Sequence, residues 1–418
     1  MKITRIETIP IRVPIKPELA IRSGRGGSHV ESPFLLVRIH TNGGIIGLGE
    51  VSCTPRWSGE DQVSAAHFIN TYFAPLLVGE TVATGGSPVG RLADELSATT
   101  EMSEATDEIE RLNAKFCSAV AGNYFTKAAL EMALWDIVGK AKGNPIFELL
   151  SAGSMEHRPG SQNSHASLLA TRSSLRSVST KWSVSGVEPA KAAEIATWAV
   201  AQGFSTMKVK VGIDPEGDIE RVRAVREAVG PLVKLGVDAN GGWPTPQVAI
   251  DTIQRLCNEC EIYFAEQPVP VGDHDAMAEV RRNVPVPIIA DESVYTLADA
   301  KMLARAEAAD VFSIYIGKAG GIGPAREIAD FAQSVGIKCT VGSNLELGIG
   351  SAAMIHLALS TPGIDADAYP CDIIGPLFYE DDVLAEPLPL SGGNASVHDR
   401  PGLGVDLDDE KIEKYRVR

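Results

Sequence analysis

One pattern recurs through the second half of the chain: an apolar segment ends in a polar residue and is followed by an amphipathic helix. After residue 180 these segments read MKVKVG, KLGVDANG, IYFAEQPV, PIIADESV, VFSIYIGKAGG and IKCTVGSNLE. One polar residue per unit can be followed at intervals of 25 to 28 positions: Lys210, Asp238, Glu266, Asp291, Lys318, Glu346 and Asp372. Alternating strands and helices form a parallel sheet, and many consecutive units predict a closed (β/α) barrel with all strand ends opening on one face.

Local signals agree with this interpretation. The segment TKWSVSG at residues 180–186 fills the place of a first barrel strand. Thr245 is expected to cap the helix that begins at Pro246. An open doubly wound sheet is the structural alternative, but no glycine-rich phosphate fingerprint follows any of the strands.

The N-terminal part follows a different pattern. KITRIETIPIRVPI and FLLVRIHTNGGIIGLGEVS alternate apolar and polar residues, and Asn42-Gly43-Gly44 marks a hairpin turn. We therefore predict an α/β protein in which a modified, TIM-like (β/α) barrel follows an N-terminal α+β capping domain. The predicted boundaries are residues 1–125 for the capping domain, 126–372 for the barrel, and 373–418 for a C-terminal segment that returns to the capping domain.

The stretch at residues 151–180 fits neither pattern. Nine of its thirty residues are serine, and it lacks periodicity. It is predicted to be an atypical surface loop, with a functional lid as the alternative.

Composition excludes several classes of protein. The net charge is −16 and the pI is near 5.0, which argues against nucleic-acid binding and against an anionic membrane surface. The first residues contain no signal-peptide core, and no apolar run is long enough to span a bilayer. The six cysteines are scattered, and Cys257 and Cys260 are interpreted as buried thiols rather than as half of a metal site. A reducing, cytoplasmic location is expected.

Three acidic residues on successive strands define a candidate metal site. Adjacent parallel strands lie about 4.8 Å apart, so Asp238, Glu266 and Asp291 at equal height would converge. Close carboxylates repel one another, and a hard cation resolves the repulsion. Oxygen ligands without His or Cys indicate Mg²⁺, with Mn²⁺ possible. The alternative is that individual carboxylates cap helices or pair with lysines.

Two lysines flank this acidic trio. Lys210 lies on the strand before it and Lys318 on the strand after it. A lysine near a cation and a second lysine is expected to have a lowered pKa and to serve as a base. Removal of a proton next to a carboxylate needs such a base, together with a metal that holds the enolate charge. The alternative is that both lysines only pair with the carboxylates.

The motifs KVK, VDAN, AEQP, ADES, KAGG and GSNLELGIGSAA, in this order and spacing, resemble the enolase superfamily and its muconate lactonizing subgroup. The likeness covers the barrel, the preceding helix KAALEMALWDIVGKAKGNPIFELL and the capping domain. It implies homo-oligomers.

The resemblance implies a role for each matching residue. Asp238, Glu266 and Asp291 would be the Mg²⁺ ligands, and Lys210 and Lys318 the acid/base pair on opposite faces of the substrate. Further residues implied at the site are Lys208 behind Lys210, Asn240, Glu292, Glu346 and Asp372. The mandelate racemase type uses a His–Asp dyad in place of the second lysine, and no histidine stands at position 318.

Three departures from the family pattern are present. Ser313, Ile314 and Tyr315 stand where the family often has Asn-x-Lys. Asp372 is followed by two isoleucines, so the Asp-x-Asp motif of dipeptide epimerases is absent and a dipeptide substrate is disfavoured. The serine-rich stretch is longer than the family's usual connection.

Substrate specificity in the family comes from two capping-domain loops, here residues 20–32 and 51–61. Arg22, Arg25, Arg56 and Trp57 in these loops are expected to grip an anionic distal group of a small carboxylate substrate. Solvated surface loops are the alternative.

The expected activity is Mg²⁺-dependent abstraction or delivery of a proton α to a carboxylate. Cycloisomerisation of a muconate-like diacid ranks first, and racemisation or epimerisation of an N-substituted amino acid ranks second. Dehydration, succinylbenzoate synthesis and non-catalytic carboxylate binding would use the same lysines and carboxylates and are further alternatives.

Overall fold

The computed structural model describes residues 1–19, 21–23, 27–82, 95–153 and 177–417. Of residues 21–23, 27–29, 95–105 and 152–153 only the backbone is described. Arg25 lies outside these residues, as does the side chain of Arg22, so the predicted roles of both arginines lie outside what the structure describes.

An antiparallel sheet builds the N-terminal region. Its strands and a small neighbouring hairpin are β1 (Ile3–Pro14), β2 (Ile21–Ser23), β3 (Gly27–His29), β4 (Glu31–Thr41) and β5 (Ile46–Ser52). The main sheet has the order β1-β4-β5, while β2 pairs with β3. The chain turns between β4 and β5 at Asn42-Gly43-Gly44, which confirms the predicted hairpin.

The N-terminal region also contains helices. They are α1 (Gln62–Phe68), which continues as a π-helical turn (Ile69–Phe73), α2 (Ala74–Leu77), α3 (Glu95–Ala119), α4 (Tyr124–Lys142) and α5 (Ile146–Gly153), with a 3₁₀ turn at Pro17–Leu19. Helix α4 lies directly on β5, because a Cβ atom at Gly49 would stand 1.9 Å from the carbonyl oxygen of Ala129. Glycine therefore fixes the distance between the sheet and the helix that leads to the barrel.

Seven parallel strands form the second sheet. After a short strand β6 (Ser177–Ser179), these are β7 (Trp182–Val184), β8 (Thr206–Lys210), β9 (Lys234–Asp238), β10 (Ile262–Glu266), β11 (Ile288–Ala290), β12 (Val311–Ile314) and β13 (Lys338–Val341), in sequential order. The chain at Cys371 and Asp372 lies between the two edges, since Cys371 O accepts from Lys181 N, directly before β7, and Asp372 N donates to Val341 O of β13. The modified (β/α) barrel and its first strand are confirmed.

Helices alternate with these strands. They are α6 (Pro189–Ala201), α7 (Pro215–Val229), α8 (Pro246–Cys260), α9 (His274–Asn283), α10 (Leu297–Arg305), α11 (Ile316–Ala319), α12 (Ile322–Ser334), α13 (Gly348–Ser360) and α14 (Gly375–Phe378). The hydroxyl of Thr245 accepts from Val248 N and Pro246 opens α8, as predicted. Cys260 is buried and Cys257 is half-buried, and both are free thiols.

The prediction of a loop for the serine-rich stretch at residues 151–180 is wrong in part. Residues 154–176 lie outside the described residues, but Ser177–Ser179 form β6 rather than loop. This strand completes a small sheet with β14 (Leu390–Ser391) and β15 (Asn394–Ser396). The sequence pattern did not indicate it, because the strand is held by backbone pairing and its side chains show no periodicity.

The C-terminal segment lies against the first strand. Helix α15 (Asp409–Tyr415) is followed by Val417, whose N–H donates to Pro10 O. None of the described helices is both long and apolar enough to cross a bilayer.

Candidate active site

The strand register brings the predicted residues to one height at the barrel mouth. Lys210 and Glu266 are both Cα partners of Asp238 in the parallel ladder. Asp291 follows the last residue of β11 directly. The equal spacing seen in the sequence is therefore a spatial alignment.

The acidic trio converges as predicted. One carboxylate oxygen from each of Asp238, Glu266 and Asp291 lies within 4.8 Å of the others, and all three residues are buried. Within the described part of the chain, no other group of His, Cys, Asp and Glu side chains meets this criterion. We refer to these three residues as the acidic triad.

The triad has the chemistry of a hard-cation site. Glu266 Oε2 is buried without a hydrogen-bond partner among the described residues. Burial raises the pKa of Glu266 well above its usual range, and although Lys208 opposes this, the charges of Asp238 and Asp291 add to it. An oxygen-only set of buried, mutually repelling carboxylates fits a divalent cation such as Mg²⁺.

Lys208 and Lys210 donate to the same side of the triad. Lys208 Nζ lies 2.7 Å from Glu266 Oε1 and 3.4 Å from Asp238 Oδ2. Lys210 Nζ lies 2.6 Å from Asp238 Oδ2 and 3.1 Å from Asn240 Oδ1. The order predicted from the K-x-K motif holds, because the Lys208 side chain is 3% exposed and that of Lys210 is 19% exposed.

The expected depression of the pKa of Lys210 is not produced by the protein's own groups. Burial lowers the pKa of Lys210, and Lys208 lowers it further, but the carboxylates of Asp238 and Glu266 together outweigh both and the net direction is upward. The pKa of Lys208 is likewise raised well above its usual range, since Asp372 and Glu266 overcome its burial.

Lys318 lies on the other side of the triad and is more enclosed. It belongs to the short helix α11, four positions after the end of β12, and is 0% exposed. Its Nζ donates to Asp291 Oδ1 at 2.5 Å, to Asp291 O at 2.6 Å and to Ser313 O at 2.9 Å. The ring of Tyr315 covers the ammonium group at 4.0 Å from the ring centroid.

A chain of hydrogen bonds connects Lys210 to the capping domain. Asn240 accepts from Lys210 through Oδ1 and donates through Nδ2 to Glu292 Oε1 at 2.8 Å. Trp57 Nε1 donates to the same oxygen at 3.1 Å. Burial, with the charge of Asp291, raises the pKa of Glu292 to about 7. The predicted residues Asn240, Glu292 and Trp57 therefore form one connected group.

The two remaining predicted acids have different surroundings. Asp372 accepts from Lys208 at 2.8 Å and pairs with Lys181 at 3.3 Å. Glu346 instead accepts from Ser343 Oγ at 2.6 Å and from the backbone of Asn344, so that it orders the loop after β13.

A cavity of about 480 Å³ opens beside the lysine pair. Its polar walls include Lys208, Lys210, Asn240, Tyr315 and Asp372. Arg56 and Trp57 line its capping-domain side, and Arg56 is exposed while Trp57 is half-buried. The role of the loop at residues 51–61 in specificity stays a prediction. Lys318 is not among the described residues that form its walls.

Sequence reasoning missed three residues of this site. The apolar wall formed by Phe378 and Tyr379 gave no signal, because the segment after Asp372 lacks periodicity. Lys181 precedes the first barrel strand, where a lysine is unremarkable. Only its 2.6 Å bond to Pro370 O and its pairing with Asp372 reveal a structural role.

Comparison with known families agrees with this site and fold. Residues 190–411 match the enolase C-terminal domain-like family, and residues 7–151 match the mandelate racemase / muconate lactonizing enzyme N-terminal domain family. The chain therefore belongs to the enolase superfamily, within its muconate lactonizing enzyme subgroup.

Characterised relatives span almost the whole chain. The chain is 30% identical to muconate cycloisomerase 1 of Rhodococcus opacus, with 99% of this chain and 98% of the relative covered. It is 28% identical to the N-succinyl-L-Arg/Lys racemase of Bacillus cereus, with 100% and 98% covered. It is 32% identical to the L-Ala-D/L-Glu epimerase of Bacillus subtilis, with 97% of each covered. These relatives are isomerases.

Solved structures give the same result. The N-succinyl Arg/Lys racemase of Bacillus cereus superposes with a TM-score of 0.84 at 27% identity, covering 100% of this chain and 99% of that one. Muconate lactonizing enzyme from Pseudomonas fluorescens, in complex with muconolactone, superposes with a TM-score of 0.82 at 27% identity and the same coverage.

Proposed function

We propose that this chain is a Mg²⁺-dependent isomerase that delivers or abstracts a proton α to a carboxylate, and that its reaction is the cycloisomerisation of a muconate-type diacid. One observation supports the choice of reaction. Lys210 borders the cavity with 19% of its side chain exposed, whereas Lys318 is 0% exposed. Cycloisomerisation needs one lysine, and racemisation needs one on each face.

The acidic triad would hold the metal. Its three carboxylates meet within 4.8 Å, and the buried Glu266 Oε2 has no other partner among the described residues. Enzymes of this family typically use Mg²⁺, and Mn²⁺ suits the same ligands. When bound, the cation supplies stabilisation of the negative charge that develops on the substrate carboxylate.

Lys210 would move the proton. One carboxylate oxygen of cis,cis-muconate adds to the double bond conjugated with the other carboxylate, and the electron pair moves toward that second carboxylate. Lys210 then gives one proton to the α-carbon of the lactone enolate, which yields the lactone product as a monoanion, and regains a proton from water. Asn240 and Asp238 hold Lys210 Nζ at 3.1 and 2.6 Å, which fixes the direction of transfer.

Racemisation or epimerisation of an N-substituted amino acid is the second candidate. It is favoured by the placement of Lys210 against Asp238 and of Lys318 against Asp291, on opposite sides of the triad. It would require Lys318 to leave its buried position. A dipeptide substrate stays disfavoured, because Ile373 and Ile374 follow Asp372. Homo-oligomeric assembly and a cytoplasmic location stay predictions.

Two substrates and two variants separate these functions. With Mg²⁺, loss of the ultraviolet absorbance of cis,cis-muconate reports cycloisomerisation, and polarimetry of N-succinyl-L-lysine reports racemisation. We expect muconate turnover that Lys210→Met abolishes and Lys318→Met only reduces. If the wild-type chain racemises N-succinyl-L-lysine and either variant abolishes this activity, racemisation replaces cycloisomerisation as the proposed function. If the wild-type chain turns over neither substrate, both functions are rejected.

A further inference from the structure

Tyr315 and Lys318 bracket one carboxylate of the acidic triad. The Tyr315 hydroxyl donates to Asp291 Oδ2 at 2.9 Å, while Lys318 donates to Oδ1 of the same group. The centroid of the tyrosine ring lies 4.0 Å from Lys318 Nζ, a distance at which a cation is attracted by an aromatic face. Tyr315 is 4% exposed and also forms part of the cavity wall.

The ring of Tyr315 is fixed by two other elements. A Cβ atom at Gly342, which follows β13, would lie 1.9 Å from a ring carbon of Tyr315, so this glycine leaves the space that the ring fills. Trp57 of the capping domain stacks on the same ring, with centroids 5.3 Å apart and planes inclined by 20°. The position of the ring is thus set by the barrel and by the capping domain together.

The donors of Lys318 are already used. An ammonium group has three N–H donors, and those of Lys318 meet Asp291 O, Asp291 Oδ1 and Ser313 O. Lys210, in contrast, donates to Asp238 and Asn240 and has part of its side chain at the cavity. The two lysines of the site are therefore unequal in access to a substrate.

We propose that Tyr315 is a positioning residue that keeps Lys318 covered, so that proton transfer takes place on one face of the substrate, that of Lys210. This inference rests on the proposed function and deepens it, because Tyr315 then determines that only one of the two lysines, Lys210, exchanges a proton with the substrate. If Lys318 were uncovered, proton transfer would take place on both faces of the substrate.

Hydrogen exchange of muconolactone tests the inference. Its CH₂ group next to the carboxylate carries two hydrogens, one on each face. A lysine removes one as a proton, its ammonium group exchanges with D₂O, and a deuteron returns to the same carbon, so no other bond changes. In D₂O with Mg²⁺, NMR resolves the two positions, and the wild-type chain is expected to label only one.

Two variants uncover Lys318 by independent routes. Tyr315→Ala removes the ring, and Gly342→Ala leaves Tyr315 in the sequence but forces its ring to shift. Either is expected to raise exchange of the second hydrogen about a hundredfold while the first is still exchanged. Tyr315→Phe keeps the ring, and its exchange is expected to stay confined to one hydrogen.

Tyr263→Phe is the matched control, because it removes a buried hydroxyl that has no hydrogen-bond partner among the described residues. It should leave both exchange rates unchanged. Wild-type exchange of both hydrogens at similar rates would overturn the inference, as would exchange of a single hydrogen in folded Tyr315→Ala and Gly342→Ala. Wild-type exchange of neither hydrogen would reject the proposed function itself.

Discussion

Buried carboxylates occur in two regions of the molecule, and their partners differ. The acidic triad at the barrel mouth is surrounded by lysine ammonium groups, and one oxygen of Glu266 has no hydrogen-bond partner in the part of the chain that the structure describes. A second set, which we call the boundary carboxylates, lies between the capping region and the barrel and consists of Glu50, Glu60 and Glu131. Each boundary carboxylate accepts at least two backbone N–H groups.

The boundary carboxylates close the starts of helices that come from other parts of the chain. Glu60 accepts from Phe125 N and Thr126 N at the start of α4, Glu131 from Ile322 N and Gly323 N at the start of α12, and Glu50 from Leu347 N and Gly350 N at the start of α13. The first N–H groups of a helix have no partner within it, so an acidic side chain satisfies them.

This comparison shows that burial of an acid does not by itself mark an active site. Backbone N–H groups are fixed and neutral, so a carboxylate bound to them holds two elements together. Ammonium groups can move and exchange protons, and a carboxylate bound to them can also bind a cation. The kind of partner separates the structural set from the chemical one, and the following substitutions test that separation.

The largest expected effect is on activity at the barrel mouth. Lys210→Met should lower muconolactone exchange by about 10²- to 10⁴-fold, the usual contribution of a general acid or base. Lys191→Met, at a half-exposed lysine of α6, is the control and should exchange normally. Retained exchange in Lys210→Met would remove Lys210 from the proposed step.

Asp238→Asn should weaken Mg²⁺ binding at least about tenfold, because one charged ligand of the triad is lost. Isothermal titration calorimetry measures the affinity. Asp251→Asn, at an exposed acid on α8, should bind Mg²⁺ like the wild type. An unchanged affinity in Asp238→Asn would exclude this residue from the ligand set.

Glu131→Gln should act on stability instead. The amide has one acceptor oxygen for the two N–H groups of Ile322 and Gly323, so the free energy of unfolding should fall by about 1.5 to 3 kcal/mol. Urea unfolding measures this, with the exposed Glu194→Gln as control. If the folded Glu131→Gln variant lost activity but kept its stability, Glu131 would not belong to the boundary carboxylates.

The smallest effect, taken per pH unit, is a pH dependence of stability. Burial, with the nearby Glu346, raises the pKa of Glu50 to about 8 although backbone N–H groups oppose this. The folded protein then favours the protonated acid, so this contribution is present below the ordinary pKa of 4.5 and is lost as the pH rises toward 8. The free energy of unfolding, compared with Glu50→Gln, should fall by at most about 1.4 kcal/mol per pH unit. If the free energy of unfolding of the wild type and of Glu50→Gln changed in parallel with pH, this prediction would be wrong.

Local patterns in the sequence determined much of the fold and the centre of the site. Alternating strand and helix signals predicted the barrel, and the Asn42-Gly43-Gly44 turn and the Thr245 cap were confirmed. The even spacing of Lys210, Asp238 and Glu266 predicted their convergence, because parallel strands of similar units end at the same height. These features depend on neighbours along the chain or on the repeat length, both of which can be read directly.

The tertiary structure alone decided which partner each buried charge meets. The glycine at position 342 that admits the Tyr315 ring, the tryptophan at 57 that stacks on it, and the helix starts bound by Glu50 and Glu131 come from distant parts of the chain. Nothing in local periodicity encodes such contacts, since they arise only when separate elements pack. The covering of Lys318, and with it the inequality of the two lysines, therefore becomes visible only in the folded protein.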